Sequence, residues 1–285
     1  MSRYLITGAT GMLGSDLVSA LNGRAVTPLS RADLDITNLD AVRVAVVGHD
    51  VVFNAAAYTK VDDAESHEEQ AHAVNALGAR NLAIAAGETG ATLIQISTDY
   101  VFDGSATEPY SEATPLNPLS AYGRTKADGE RFVLEENLQR FYIVRTAWLY
   151  GTHGPNFART MLRLITDRDT VSVVNDQYGQ PTWTADLAAQ LVRLADSDAP
   201  SGIYHGTNAG IASWFDFAQA VFMVAGIDPD RVVPTDSSQF VRPAPRPAYS
   251  VLGHAAWSRA GIEPLRNWRD ALYDSANSGL LEKPW

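Results

Sequence analysis

Along the first half of the chain, short apolar runs alternate with longer stretches whose apolar residues recur every three to four positions. The short runs lie at 4–7, 25–29, 51–54, 92–97 and 142–146. They are nearly continuous in apolar residues, which suits strands covered on both faces. Between them the patterning predicts helices over 11–21, 39–47, 68–87 and 121–137. Alternation of this kind predicts an α/β fold built on a doubly wound parallel sheet.

After Trp148 the pattern loosens. Gly151, Gly154 and Pro155 make a loop, and a helix is predicted over 157–166. One more strand-like run, 171–174, leads into a polar loop, then a helix over 186–195 and a strand over 202–207. Ser213 with Asp216 three residues on has the form of a capping box and opens a helix through Val224. The proline-rich run 241–253 is excluded from a helix, and 267–274 reads as a short one. We expect a first domain over 1–146 that also takes in about 168–192. A smaller α/β domain over 147–285 is expected to interleave with late elements of the first.

A chain of 285 residues can bury a large core, and its 46% hydrophobic and 19% charged content is that of a globular protein. The net charge of −11 argues against a general nucleic-acid binder, while leaving room for an anionic ligand held by local arginines. Cysteine is absent, which excludes disulfides, thiolate metal sites and cysteine nucleophiles. The N-terminal stretch lacks the pattern of a secretory signal, and no apolar run is long enough to span a bilayer. A soluble, cytoplasmic protein is the expectation. The six histidines show no metal-ligand spacing, and no metal is expected.

The first strand runs straight into Gly8-Ala9-Thr10-Gly11-Met12-Leu13-Gly14 and then a helix. Three glycines at this spacing permit a tight turn, close approach of a pyrophosphate and close helix–strand packing, and the helix start offers free N–H groups. This predicts that 1–146 is a Rossmann-type dinucleotide-binding domain, with Gly8, Thr10, Gly11, Met12, Leu13 and Gly14 on the cofactor. An NAD enzyme usually carries an acid at the end of the second strand. Here that position holds Ser30 and Arg31, which suit the 2′-phosphate of NADP better, although Arg31 can also be read as a solvated residue and NAD stays open. Asp35 and Ile36 are placed on the adenine side, or else belong to a capping run before Asp40.

Only three lysines occur, and one of them, Lys126, follows Tyr122 by four residues in a predicted helix. Residues four apart are neighbours on a helix face. An ammonium beside a phenol favours the phenolate and makes the tyrosine a better proton donor. A carbonyl undergoing reduction also needs a second hydrogen bond, and Thr98 stands at the end of the fourth strand, where a parallel sheet opens its crevice. Ser97 is the rival hydroxyl.

Together these residues resemble the extended short-chain dehydrogenase/reductase family. Gly8, Gly11 and Gly14 match its cofactor turn, Thr98, Tyr122 and Lys126 its catalytic triad, and Asn54-Ala55-Ala56-Ala57 its strand-end segment along the cofactor. The segments AAAYTKVDDAE, STDYVFDG, YGRTK, RTAWLYG, NDQYGQPTW and RPAYSVL are similar to those of the members that act on nucleotide sugars. The resemblance implies NADPH reduction of the C4 ketone of a dTDP-6-deoxy-4-ketohexose. Tyr122 would protonate the alkoxide, Lys126 would tune Tyr122 and hold the nicotinamide ribose, and Thr98 would hold the carbonyl oxygen. Ala55, Ala56 and Ala57 would line the cofactor, and Asn75 would support a proton-relay water or else lie on a helix surface. Asp99, Tyr100 and Trp148 would border the sugar, with core packing the other reading for the two aromatics. Arg242 or Arg246 would pair with the diphosphate, unless both are merely solvated. Some relatives bridge two subunits through magnesium held by glutamates; here the matching positions are the shorter Asp16 and Asp186, so no metal is expected, and a homodimer is implied by family habit alone. Two other readings stay open: a 4-ketoreductase of another deoxysugar pathway, and a noncatalytic NADP-binding regulatory subunit.

Overall fold

The computed structural model describes residues 2–280. Five strands of the first half, β1 (Arg3–Thr7), β2 (Ala25–Leu29), β3 (Val51–Asn54), β4 (Thr92–Thr98) and β5 (Phe141–Thr146), fall within a residue of their predicted positions. The connecting helices are α1 (Met12–Ala20), α2 (Leu39–Val46), the short α3 (Val61–Ala64), α4 (Glu68–His72), α5 (Gly78–Thr89) and α6 (Ala121–Glu135). The stretch predicted as one helix over 68–87 is divided by a π-turn at Ala73–Leu77 between α4 and α5. Single π-turns of this kind collect at functional sites.

Beyond β5 come β6 (Leu149–Tyr150), α7 (Phe157–Thr166), β7 (Val171–Val174), β8 (Tyr178–Gly179), β9 (Thr182–Trp183) and α8 (Thr184–Ala195). They are followed by β10 (Gly202–His205), β11 (Ala212–Ser213), α9 (Trp214–Val224), β12 (Val232–Thr235), α10 (Ala255–Arg259) and α11 (Trp268–Ser275). The capping box at Ser213 is present, with Ser213 and Asp216 each bonding the other's backbone amide. The proline-rich 241–253 run is free of helix.

The main sheet is parallel in the order β10-β5-β4-β3-β1-β2. One buried cluster joins α1, α8 and α10 to one sheet face, and a second joins α2, α5 and α6 to the other. These two layers make the sheet doubly wound. The chain reverses its winding between β1 and β3, and that switch point opens the crevice in which such sheets bind ligands.

The interval 168–192 divides between the two parts of the molecule. Helix α8 packs on α1, but β7 pairs with β12 in a separate two-stranded sheet, and the sixth main-sheet strand is β10. The burial pattern gives the reason. Strand β7 alternates, with Val171 and Val173 buried and Ser172 exposed, so it has one face to cover. The smaller unit, built of α7, α9, α11 and the β7–β12 pair, has its own core around Phe217, Phe222 and Trp268.

Candidate functional site

At the end of β1 the chain turns through Gly8 with φ +69, a left-handed conformation that glycine adopts without strain. A Cβ on Gly8 would lie 2.7 Å from the Ala56 nitrogen, and one on Gly14 would lie 2.2 Å from the Gly8 carbonyl oxygen. The turn is therefore wedged between α1 and the chain leaving β3. Helix α1 starts behind Gly11 with no side-chain cap. No side chain at the cap takes its first amides, an arrangement that can accept an anion. Thr10 and Gly11 are exposed, Met12 is half-buried, and Leu13 is a core residue whose side chain faces away from the turn surface. Ala55, Ala56 and Ala57 form a half-buried strip directly beside Gly8.

Ser30 donates to Asp33 through both its amide, at 2.9 Å, and its hydroxyl, at 2.6 Å. That tight turn presents an exposed Arg31, which makes no hydrogen bond or ion pair to a described residue. Asp35 closes a small turn on Thr37, whose amide and hydroxyl hold its carboxyl below the usual range. Ile36 is 5% exposed and packs on Gly78, while Asp35 is exposed beside it. Arg31→Ala is expected to weaken NADPH ~10-fold or more, the worth of a charge-assisted phosphate contact, and NADH less than about twofold. Fluorescence titration with both cofactors measures this, and equal losses would remove the phosphate role.

Opposite the glycine turn, α6 begins at Ser120, whose hydroxyl caps the Gly123 amide at 3.1 Å. A Cβ on Gly123 would lie 2.2 Å from the Tyr100 carbonyl oxygen. Only glycine lets α6 approach β4 closely enough to seat the half-buried Tyr122 beside Thr98. Burial pushes the Tyr122 phenol up to about 12, the Thr98 hydroxyl pulls it down, and the charge of Asp99 pushes it up. Tyr100 meets Tyr122 edge to face, with ring centroids 5.6 Å apart. Thr98 donates to Asp99 Oδ1 at 3.0 Å, so its hydroxyl must rotate to serve a substrate oxygen. Asp99 is itself buried, and burial lifts its carboxyl to about 6.

Lys126 lies one turn along α6, but its Nζ donates to the Ile96 carbonyl at 2.5 Å. No hydrogen bond joins Lys126 to Tyr122 among the described residues, and the causes that shift the phenol here are burial, Thr98 and Asp99. A buried ammonium must satisfy its donors, and it has taken a strand-end carbonyl. Asn75, in the π-turn, is 2% exposed. Its Oδ1 accepts from Tyr58 N at 2.8 Å, and its Nδ2 donates to Thr125 Oγ1 at 3.1 Å and to Tyr58 O at 3.2 Å. The amide thus clamps the chain after Ala57 to the catalytic helix, which replaces the helix-surface reading.

On the far side of the crevice, Trp148 has a positive φ of +47 and stacks on Trp214 with centroids 3.5 Å apart. Backbone strain of this kind concentrates at ligand sites. The ring is half-buried and packs against the core of the smaller unit. Arg246 is bound to Asp62 at 2.9 Å and donates to the Ala244 carbonyl, whereas Arg242 is exposed. Asp186 is gripped by Arg266, through Nε at 2.9 Å, and by Asn208, and Asp16 faces His153 at 3.7 Å. No group of three or more metal-ligating side chains occurs among the described residues. Among the described residues no helix is long and apolar enough to cross a membrane.

Sequence reasoning passed over a buried polar chain beneath the site. Thr7 donates to Asn54 at 2.7 Å, Asn54 to Gln95 at 2.7 Å, and Gln95 to the Ile96 carbonyl that also receives Lys126. Ser97, Glu130 and Arg145 form a second chain beside it. The available signal was polar side chains inside strands covered on both faces, which is the informative exception in a core.

A Rossmann-type sheet with a glycine turn at its switch point, a threonine at a strand end, and a tyrosine and lysine on the helix beside it defines a dinucleotide-dependent oxidoreductase of the extended short-chain class. The family described as RmlD substrate binding domain matches residues 2–280, and the chain belongs to that family. It is 54% identical to dTDP-4-dehydrorhamnose reductase of Streptomyces griseus, over 96% of this chain and 92% of the relative. It is 49% identical to dTDP-4-keto-6-deoxy-D-glucose reductase of Streptomyces niveus, over 95% of each. The crystal structure of dTDP-4-dehydrorhamnose reductase from Bacillus anthracis in complex with NADP superposes with a TM-score of 0.94, at 40% identity, covering 98% of this chain and 100% of that one.

Proposed function

We propose that the protein is a cytoplasmic NADPH-dependent reductase that converts the C4 ketone of dTDP-4-dehydro-6-deoxy-L-mannose (dTDP-4-dehydrorhamnose) to the alcohol of dTDP-L-rhamnose. The observation that carries this reading is the Tyr122 phenol beside Thr98, one helical turn from a buried Lys126, facing the glycine turn across the switch-point crevice. Gly8, Gly11 and Gly14 would cradle the pyrophosphate with backbone amides, Ala55–Ala57 would flank it, and Ser30 and Arg31 would take the 2′-phosphate. Bound there, NADPH supplies the hydride to C4. Tyr122 gives its proton to the oxygen left negative by that transfer. A phenol held at about 12 keeps its proton at neutral pH yet is far more acidic than an alcohol, so transfer to an alkoxide runs downhill. Thr98 turns its hydroxyl from Asp99 to the same oxygen, and the Lys126 charge stabilises the phenolate that remains.

For the sugar, Tyr100 and Trp148 offer flat faces to its apolar side. Arg246 would exchange Asp62 for the nucleotide diphosphate, a stronger charge-assisted partner. The similarity to dTDP-4-keto-6-deoxy-D-glucose reductase supports a second reading, in which the sugar is another dTDP-4-ketohexose. NADPH oxidation followed with each dTDP-4-ketosugar decides between them. dTDP-4-dehydrorhamnose should turn over fastest. Cofactor binding without oxidation of any ketosugar would overturn the assignment in favour of a noncatalytic subunit.

A further inference from the structure

Lys126 is 4% exposed. Burial pulls its ammonium down to about 8, and one charge, that of Glu130, holds it up. Glu130 follows it by one turn of α6 and is 1% exposed. The two form no salt bridge, because both carboxylate oxygens are already taken. Ser97 Oγ donates to Oε1 at 2.5 Å. Arg145 donates through Nε to Oε1 at 2.9 Å and through Nη2 to Oε2 at 2.7 Å. Arg145 is fixed in turn, with its guanidinium 5.0 Å from the Phe102 ring centre and bonded to the Glu112 carbonyl. Ser97 sits between Ile96, which receives Lys126, and Thr98.

The other ionisable groups around this trio act elsewhere. His205, on β10, meets Arg145 at 3.5 Å and is kept neutral, with burial and the Arg145 charge pulling it down to about 3. Glu112, in the loop before α6, turns its carboxylate to the Ala256 amide and towards Arg259. Asp99, at the end of β4, acts on Tyr122 and Tyr100.

We propose that Glu130, locked by Arg145 and Ser97, is a positioning residue for the reaction. Its fixed negative charge keeps Lys126 an ammonium in a dry site, and the lock denies Lys126 a direct ion pair. The three N–H donors are thereby kept for Ile96, the nicotinamide ribose and the Tyr122 phenolate. The inference rests on the catalytic role proposed above for Lys126. An unlocked Glu130 would draw the ammonium away from the cofactor; an absent one would leave it prone to lose its proton.

The test uses Glu130→Gln and the double variant E130Q/R145M, which removes both buried charges and so avoids an orphaned guanidinium. NADPH affinity is measured against pH by fluorescence, and kcat against pH in the same buffers. The alkaline loss of NADPH affinity and of kcat is expected about one pH unit lower in both variants than in the wild type. At pH 6 all three proteins should bind NADPH alike, and at pH 8 the variants should bind it roughly 5-fold more weakly. A purely structural role predicts a uniform loss at every pH. An alkaline limb that stays at the wild-type pH in the double variant overturns the proposal, even where E130Q alone is unstable. Wild-type protein that binds NADPH but reduces no dTDP-4-ketosugar would sink the assigned reaction, and the binding profile would still decide the role of Glu130.

Discussion

Tyr122→Phe is expected to lower kcat by ~10²- to 10⁴-fold, the usual span for loss of a general acid, while NADPH affinity stays within about twofold of wild type. The separation follows from geometry. On the proposed reading the glycine turn, the Ala55–Ala57 strip and Arg31 hold the cofactor without the phenol, whereas Tyr122 is the protonated phenol on which the Thr98 hydroxyl acts. Phenylalanine keeps the edge-to-face contact with Tyr100, so the ring should stay in place. Stopped-flow hydride transfer together with cofactor titration separates the two effects. Turnover within about tenfold of wild type would move the proton donor elsewhere, with Asp99, lifted to about 6, the next group to test.

Arg145→Ala should have the largest effect on stability, a loss of ~3–5 kcal/mol, because it strands a carboxylate that is 1% exposed. In a chain of this size that corresponds to a fall in Tm on the order of 10 °C. The double variant E130Q/R145M should regain most of the loss, since a neutral pair of similar shape leaves no uncompensated charge. Denaturant titration of the three proteins measures this. A loss below ~1 kcal/mol for Arg145→Ala would mean that water or another cation reaches Glu130.

The phenol's environment shows how far local pattern carries an argument. The four-residue spacing of Tyr122 and Lys126 gave the helix face correctly, and the proximity of Thr98 followed from its place at a strand end. The direction of the Lys126 ammonium did not follow. That depends on which carbonyl the neighbouring strand offers, and Ile96 lies 30 residues earlier in the chain. In the same way Arg246 was legible as a cation near the crevice, but its partner Asp62 belongs to a helix in the other half of the molecule.

Patterning alone located the strands, the glycine turn, the capping box at Ser213 and the tyrosine–lysine pair, because each is a short-range feature in which backbone geometry and side-chain spacing are set within a few residues. It did not show that β7 pairs with β12 outside the main sheet or that β10 is that sheet's sixth strand, since a strand's sheet depends on which faces its neighbours cover and not on its own residues. The buried polar chain that shares the Ile96 carbonyl with Lys126, and the Ser97–Glu130–Arg145 chain beside it, arise only when β1, β3, β4 and β5 are laid side by side and α6 is brought down on them through Gly123. Chain folding, by excluding water from those contacts, turns scattered Thr7, Asn54, Gln95, Ser97, Glu130 and Arg145 into two buried hydrogen-bonded chains beneath the site.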